Sequence, residues 1–416
     1  MVHRVRTISK YVVMLVKLVK RTPVEIRYIT VLFFSSRLIL TLIGVFSRFY
    51  LQQRIDFSKV PHRAPTYPDT HTWLNIWGVW DTGWYLNIAQ NWYNNILNGH
   101  GGANYGFFPL YPFLMRILGF IVGNNFISGL LISNLAFLFG AYVLHKLVSH
   151  QSGSETADRA VLFMFLFPTA FIFSAVFSES LFVLCMISAF YFANRNRWFL
   201  AGLFGGLVAL TRSVGVFIGL PLLLLYLQNR SFNLHKIRAD ILCLAFVPLG
   251  LGVFCLQCYL VTGDFLAFAH IQQTGWGHEL TNPLMVLWRS LGDGNILHLC
   301  NGIFSISMIS IICIGIRQIP LAYSLMAMIL MIFPPLAGHT CMNSMLRYSL
   351  VVFPIYILCA KIPAHSWYYQ LTVTSLSMLQ GALMVFWTNS FDLIICIILY
   401  NFFFFFNIIF RYIFIL

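Results

Sequence analysis

Charged side chains are scarce in this chain of 416 residues: Asp, Glu, Lys and Arg make up 9%, and only 12 residues are acidic. A soluble protein carries about 25% charged residues. Hydrophobic residues instead make up 59%, and several apolar runs approach the roughly 20 residues that a helix needs to cross a bilayer. The composition excludes a soluble globular protein. It predicts an all-α, multi-pass integral membrane protein that forms one domain over residues 1–416.

The sequence also lacks the marks of nucleotide, metal and nucleic-acid chemistry. It has no phosphate-binding glycine loop and no local cluster of metal-ligating residues, so we expect no cofactor and no metal. The nine cysteines lie mostly in apolar runs, where they serve packing. The formal net charge is +14, but the basic residues lie mostly in short loops. Contact with anionic membrane lipids and the positive-inside rule explain them better than nucleic acid does.

The positions of Lys and Arg predict the topology, because basic loops stay on the cytoplasmic side. The N-terminal segment 1–27 is basic and is expected to be cytoplasmic. After a first span, the loop 51–125, which is polar over 51–105, is then extracytoplasmic, and so is a second long polar loop at 262–298. An apolar stretch within 391–416 forms the last span.

Whether this topology obeys the positive-inside rule depends on one apolar run, residues 107–123. If the run 107–123 does not cross the bilayer, nearly every basic loop falls inside; if it does cross, most of them break the rule. We therefore expect 107–123 to be re-entrant or to lie in the outer leaflet. The run 160–177 is expected to be one outward span. The total is about 11–12 spans at roughly 20 residues each.

Asp81 lies in the first outer loop, within an aromatic stretch at 76–90 that includes Trp80, Trp84 and Tyr85. The residues alone leave two interpretations open. Asp81 caps the helix that begins after it, and the rings form a membrane-interface belt. Alternatively, Asp81 is a general base held at the membrane surface, and the rings stack on a sugar.

Charged groups inside apolar sequence are costly and mark functional sites. Glu179 is enclosed by apolar sequence as Asp81 is, whereas acids in the polar loops are expected to be solvated. Arg212 and Arg347 interrupt apolar stretches at the outer ends of helices. They either snorkel to the headgroups or bind a phosphate through the guanidinium fork. A carboxylate base and arginines at one membrane face suit transfer of a group from a lipid phosphate carrier to a hydroxyl.

Five sequence blocks, in order between about residues 73 and 360, resemble the PIG-V family of GPI mannosyltransferase 2 and its prokaryotic relatives. The blocks are WDTGWYLNIAQ, FFPLYP, FPTAFIFSAVFSESLF, RNRWFLAGLFGGLVALTRSVG and RYSLVVFP. The match is nearer to the prokaryotic branch, because the eukaryotic enzymes tend to have an acidic residue where this chain has Asn104, Tyr105 and Gly106.

The resemblance implies a GT-C glycosyltransferase, a helical bundle with juxtamembrane helices in the first outer loop and an extracytoplasmic active site. It implies inverting transfer of mannose from polyprenyl or dolichyl phosphate mannose to a hydroxyl of a lipid-linked glycan acceptor. The membrane is the plasma membrane in a prokaryote and the ER membrane, with a luminal site, in a eukaryote. The catalytic base is expected to be Asp81. The residues expected to bind the substrates are Trp80, Trp84, Tyr85, Phe108, Glu179, Arg212, Arg347 and Tyr348.

Two other classes of protein stay open. Glu179, Arg212 and Arg347 also fit the substrate pathway of a transporter or flippase for lipid-linked sugars, although the two halves of the chain show no internal repeat. A scaffold whose partner does the chemistry is the third class, and an accessory membrane subunit is left open as a partner. Function retained without Asp81 would favour the scaffold.

Overall fold

The apolar runs fold as helices, and polar residues at their starts fix several of them. The computed structural model describes residues 23–52, 71–99 and 101–393, and within these ranges it contains helices and no strand. Four helices begin after a residue whose side chain accepts a hydrogen bond from a backbone N–H of the first turn, as N-cap residues do. These residues are Asn124, Asn282, Asn295 and Ser366.

The described part of the chain contains 17 α-helices. In chain order they are α1 Val24–Gln52, α2 Thr72–Asn75, α3 Thr82–Asn91, α4 Leu110–Val122, α5 Asn125–Ser152, α6 Ser154–Leu166, α7 Glu179–Asn194, α8 Trp198–Ala209, α9 Gly219–Gln228, α10 Phe246–Thr262, α11 Ala267–Trp276, α12 Pro283–Ser290, α13 Ile296–Ile314, α14 Leu321–Leu336, α15 Met345–Tyr348, α16 Phe353–Ala360 and α17 Trp367–Thr388. The longer 3₁₀ segments are Ala170–Ser174, Ser213–Ile218, Ala239–Ala245 and His339–Ser344.

Several of these helices are membrane spans by length and composition, which confirms the predicted multi-pass all-α fold. The five long ones are Val24–Leu51, Asn125–Ser152, Ala239–Thr262, Ile296–Arg317 and Trp367–Thr388. A further candidate is the pair His339–Val351 and Phe353–Ala360, which is bent by 60°. Shorter apolar helices of 10–17 residues are Leu110–Val122, Glu179–Asn194, Trp198–Ala209, Ser213–Gln228 and Leu321–Leu336. The number of 11–12 spans and the division of the chain into one domain stay predictions.

The prediction of one span over 160–177 is wrong in its second half. Helix α6 ends at Leu166 because Pro168 follows two residues later, and a residue that precedes proline avoids the helical region. Phe167 accordingly has φ −54° and ψ 138°. Residues 167–178 form an irregular segment of turns and bends around the 3₁₀ helix Ala170–Ser174, and they are all buried. Such backbone is tolerated inside a membrane protein where other protein segments surround it. The segment 167–178 ends where α7 begins, and it thereby positions Glu179.

Two buried arginines of α1 hold this irregular segment and the first outer loop. Arg37 donates through Nη1 to the Ala170 carbonyl at 3.2 Å and to Ser174 Oγ at 2.7 Å. Arg48 donates through Nε to the Thr388 carbonyl of α17 at 2.7 Å and through Nη1 to Asn75 Oδ1 of the first outer loop at 3.4 Å. Burying a cation is costly unless hydrogen bonds compensate it, so the Arg37 bonds fix where the irregular segment lies relative to α1, and the Arg48 bonds fix the start of the first outer loop.

Glycines bring α8 against the chain that leads into α10. A Cβ on Gly202 would lie 2.0 Å from the Cys243 carbonyl oxygen, and one on Gly250 would lie 2.4 Å from the Gly206 carbonyl oxygen. Small residues let helix backbones approach closely in membrane proteins. Because α8 ends at Ala209, this packing fixes the turn that carries Arg212.

The two predicted outer loops pack against each other. The first loop contains α4, whose 13 residues are fewer than the roughly 20 that cross a bilayer. This length agrees with a run 107–123 that does not span, and its place in the membrane stays a prediction. The second loop contains α11 and α12, and Gln272 of α11 donates to the Gly106 carbonyl at 2.9 Å.

Most of the predicted segment 1–27, and the predicted last span beyond Leu393, lie outside the described residues.

Candidate active site

A cavity of about 770 Å³ lies between the first outer loop, the second outer loop and the segment that ends in α15. Seven of the nine predicted site residues line it: Trp80, Asp81, Tyr85, Phe108, Arg212, Arg347 and Tyr348. Glu179 lies behind Arg212 and Arg347, with no exposed surface. The structure therefore brings together charged residues that are up to 266 positions apart in the chain.

Asp81 stands at the N-cap position of α3, but its side chain makes no capping hydrogen bond. Its Oδ2 instead accepts a hydrogen bond from Arg347 Nη1, and the side chain remains 25% exposed. The preceding Trp80 has φ 49°, which is uncommon for a residue other than glycine, and its ring packs edge-on against Trp387 at 4.9 Å. The interpretation of Asp81 as a simple helix cap is therefore wrong, and its carboxylate borders the cavity.

Glu179 joins the two arginines. Its Oε1 accepts from Arg212 Nη1 at 2.6 Å and from Arg347 Nε at 2.7 Å. Its Oε2 is buried and has no hydrogen-bond partner among the described residues. Two carboxylates and two guanidinium groups thus form a chain in the order Asp81, Arg347, Glu179, Arg212, with formal charges that cancel. A buried ion of this kind is tolerated only when it is paired.

Both arginines turn inward, so snorkelling to the headgroups does not describe them. The Arg347 side chain is 9% exposed and that of Arg212 is 17% exposed. The Arg347 guanidinium lies 4.4 Å from the centroid of the Phe177 ring, and the Arg212 guanidinium lies 5.7 Å from that of Tyr348. Aromatic faces attract cations at these distances. The rings and Glu179 together hold the guanidinium groups beside the cavity.

The predicted aromatic residues have different positions. Tyr85 reaches Ser178, with 2.9 Å between the two hydroxyl oxygens, and burial raises the pKa of Tyr85 to about 12. Phe108 packs against Phe254, with ring centroids 4.4 Å apart. Trp84 stacks on Phe107 at 5.6 Å rather than lining the cavity. Tyr85 is therefore a neutral hydroxyl at the site, and Phe108 shapes its apolar wall.

Sequence reasoning missed the wall that the second outer loop supplies. Gln272, Trp276, His278 and Glu279 line the cavity, and Trp276 contacts Trp84 with ring centroids 5.6 Å apart. Burial lowers the pKa of His278, which favours its neutral form. The polar composition of this loop predicts solvated side chains, and only its tertiary contact with the first loop brings it over the site.

One group in the described part of the chain combines side chains that bind metals: Asp293, His298 and His339. It does not include Asp81 or Glu179, which face arginines. His298 contacts Asn343, and Asn343 lines the cavity. The group therefore lies at the edge of the cavity.

Comparisons with known proteins identify the family and the fold. A family model described as Mannosyltransferase (PIG-V) matches residues 29–280. The structure is similar to that of ArnT from Cupriavidus metallidurans bound to undecaprenyl phosphate, with a TM-score of 0.50, 12% identity, and coverage of 82% of this chain and 77% of that chain. ArnT is a GT-C glycosyltransferase. At this identity the likeness shows the fold alone.

The apo structure of the same ArnT aligns with a TM-score of 0.48 and 15% identity, over 70% of this chain and 56% of that chain. A search of curated proteins finds no match. The likeness to the structure bound to undecaprenyl phosphate confirms the predicted GT-C-type helical bundle.

Proposed function

The chain belongs to the PIG-V mannosyltransferase family, and on that premise we propose that it transfers mannose from a polyprenyl or dolichyl phosphate carrier to a hydroxyl of a lipid-linked glycan. The observation that carries the proposal is the chain of charges at the cavity: a partly exposed carboxylate, Asp81, joined to two arginines by a buried Glu179. The topology predicted from loop charges puts this site on the extracytoplasmic side.

The two arginines are suited to the phosphate of a lipid carrier. A guanidinium has five N–H donors in a planar fork, and Arg212 uses one nitrogen on Glu179. Its side chain is partly exposed, at 17%, and lines the cavity. A phosphate that enters there meets oriented donors that stabilise the negative charge on the departing oxygen. The undecaprenyl phosphate in the ArnT structure is a ligand of this chemical class.

Asp81 is suited to the role of the base. Arg347 binds one carboxylate oxygen, Oδ2, which leaves Oδ1 for the acceptor hydroxyl. As that hydroxyl attacks the anomeric carbon, its proton passes to Asp81, and the new C–O bond forms on the face opposite the phosphate. The bond between the anomeric carbon and the phosphate oxygen breaks, and its electron pair stays on the phosphate. One displacement inverts the anomeric configuration.

Arg347 connects removal of the acceptor proton by Asp81 to binding of the donor phosphate. It donates to Asp81 and to Glu179 at once, so a phosphate that binds beside it competes with Asp81 for its N–H groups. Arrival of the donor therefore weakens the contact between Arg347 and Asp81, and it frees carboxylate lone pairs for the proton of the acceptor hydroxyl.

The donor class is tested by supplying two labelled donors to the purified full-length protein in detergent with a membrane lipid extract as the acceptor. We expect label from polyprenyl phosphate [³H]mannose to enter acceptor lipids, and none from GDP-[³H]mannose. Polyprenyl phosphate [³H]glucose is the matched control for the sugar and is expected to be a poorer donor.

Label from the nucleotide sugar alone would contradict the proposed donor. Movement of the lipid-linked sugar across vesicles without a new glycosidic bond would favour the flippase instead. No feature of the described residues favours that alternative over the transferase.

A further inference from the structure

The group of Asp293, His298 and His339 stands apart from the charge network and has no part in the transfer step. His298 Nδ1 lies 2.5 Å from Asp293 Oδ2, and His339 Nε2 lies 2.8 Å from the same oxygen. The two imidazole rings are nearly perpendicular, at 81°, with centroids 4.6 Å apart. Two nitrogen ligands and one carboxylate therefore converge on a single point.

The contact of the second ring nitrogen of His298 with Asn343 indicates whether the site can bind a cation. His298 Nε2 lies 2.8 Å from Asn343 Oδ1, and an amide oxygen accepts hydrogen bonds, so with the amide in this orientation the ring donates from Nε2. The Nδ1 lone pair of that tautomer faces a carboxylate oxygen, which also only accepts. A metal ion bound by both atoms resolves this contact.

We propose that Asp293, His298 and His339 bind a divalent transition metal ion, with Zn²⁺ the best match. Two imidazoles and one carboxylate with an open fourth position form a common zinc ligand set. Zinc bonds of about 2.0–2.1 Å in a tetrahedron separate neighbouring ligand atoms by about 3.4 Å. The three ligand atoms here lie within 4.8 Å of one another, so small side-chain movements accommodate the ion.

The surroundings agree with a metal site in two further respects. Asn343 fixes the tautomer of His298 as a hydrogen-bond partner behind a ligand does. The three side chains are 23%, 13% and 27% exposed, so the site is sheltered but open to an ion and to one water ligand.

A metal here would connect the start of α13 to a segment that borders the cavity. Asp293 and His298 flank the start of α13, whereas His339 begins the 3₁₀ segment His339–Ser344. That segment runs directly into α15, which carries Arg347. The ion would therefore hold in place the segment that positions Arg347, without touching the substrates.

Zinc binding to the full-length protein in detergent tests the site without any transfer assay, so its failure and that of the proposed function are separate results. The protein is stripped with a chelator and titrated with ZnCl₂ against a chromophoric zinc indicator. We expect one Zn²⁺ per chain, and at least tenfold weaker binding after His339→Gln or His298→Gln. Asp264→Asn is the matched control, because Asp264 pairs with the single histidine His270 at 2.6 Å, and it should bind zinc as the wild type does.

Thermal unfolding of the wild type gives a second test that does not depend on how the variants fold. A metal that binds only the native protein raises the melting temperature as its free concentration rises. We expect this rise with ZnCl₂ and its loss with chelator. A melting temperature that is unchanged by both would overturn the proposal. Equal zinc binding by the wild type and His339→Gln would overturn it as well.

Discussion

Asp81 and Glu179 accept hydrogen bonds from the same guanidinium, yet they occupy different regions of the molecule. Asp81 ends a loop whose preceding residue has a left-handed backbone, and its side chain is 25% exposed at a cavity. Glu179 follows a fully buried irregular segment and is itself 0% exposed, with two arginines on one oxygen. The first region leaves a carboxylate oxygen available to a substrate, whereas the second uses its carboxylate to hold two cations.

This difference separates two roles that sequence alone could not separate. Both acids interrupt apolar sequence, so both were functional candidates of the same kind. In the structure, only Asp81 has the access that a base requires, because a general base must come within hydrogen-bond distance of the proton it removes. Glu179 is a positioning residue for Arg212 and Arg347. The predictions below test this assignment of roles.

Glu179→Gln should have the largest effect, and the effect should be on stability. It keeps the shape but removes the charge that balances two guanidinium groups, and breaking a buried ion pair in this way costs about 3–5 kcal/mol in the free energy of unfolding. Thermal or denaturant unfolding in detergent measures it. Glu25→Gln is the control, because Glu25 pairs with Lys146 where the side chains are 25% and 35% exposed, and such pairs contribute about 0–1 kcal/mol. Equal losses in both variants would refute the special role of Glu179.

Arg347→Lys should preserve the charge but abolish the bridge between the two regions. An ammonium group is a single point that cannot place one nitrogen on Glu179 and another on Asp81 as the guanidinium does. We expect a decrease in kcat of about 10²–10³-fold, as for loss of an oriented donor to a developing anion. Arg159→Lys, whose partner Glu155 is 81% exposed, should leave kcat unchanged. A fully active Arg347→Lys enzyme would show that the bridge is dispensable.

Tyr85→Phe should have the smallest effect, since it removes only the hydroxyl that contacts Ser178. The expected cost is about 0.5–1.5 kcal/mol of unfolding free energy, measured by the same unfolding experiment. Tyr259 is 44% exposed, and Tyr259→Phe is the control that should stay within about 0.5 kcal/mol of the wild type. A large loss of transfer with little loss of stability would instead give Tyr85 a direct role at the substrate.

The sequence predicted the helical membrane fold and the four charged residues of the network for a simple physical reason. Charges are so costly in apolar sequence that their few positions are informative without any structure. The family resemblance then assigned Asp81 its expected role. What the charges could not indicate is that Arg347 reaches both acids, because the pairing depends on how segments far apart in the chain pack together.

Other features could not be predicted because their signals were weak or masked. The composition of 167–178 is that of a membrane span, and only Pro168 marks the end of the helix. Arg37 and Arg48 lie within α1, whose length and apolar composition are those of an ordinary membrane span. Nothing in the sequence indicated that both side chains are buried. Asp293 and His339 lie 46 residues apart, so no local spacing indicates that they share a site.

The most direct test of the account is the rate of mannose transfer by Asp81→Asn compared with Asp264→Asn, with unfolding measured on both. Asparagine keeps the size of the side chain and accepts from Arg347, but it cannot take the acceptor proton. The account predicts a decrease of about 10²–10⁴-fold for Asp81→Asn, with a melting temperature close to the wild type, and no decrease for Asp264→Asn. Near-normal transfer by Asp81→Asn would contradict it and remove Asp81 as the base.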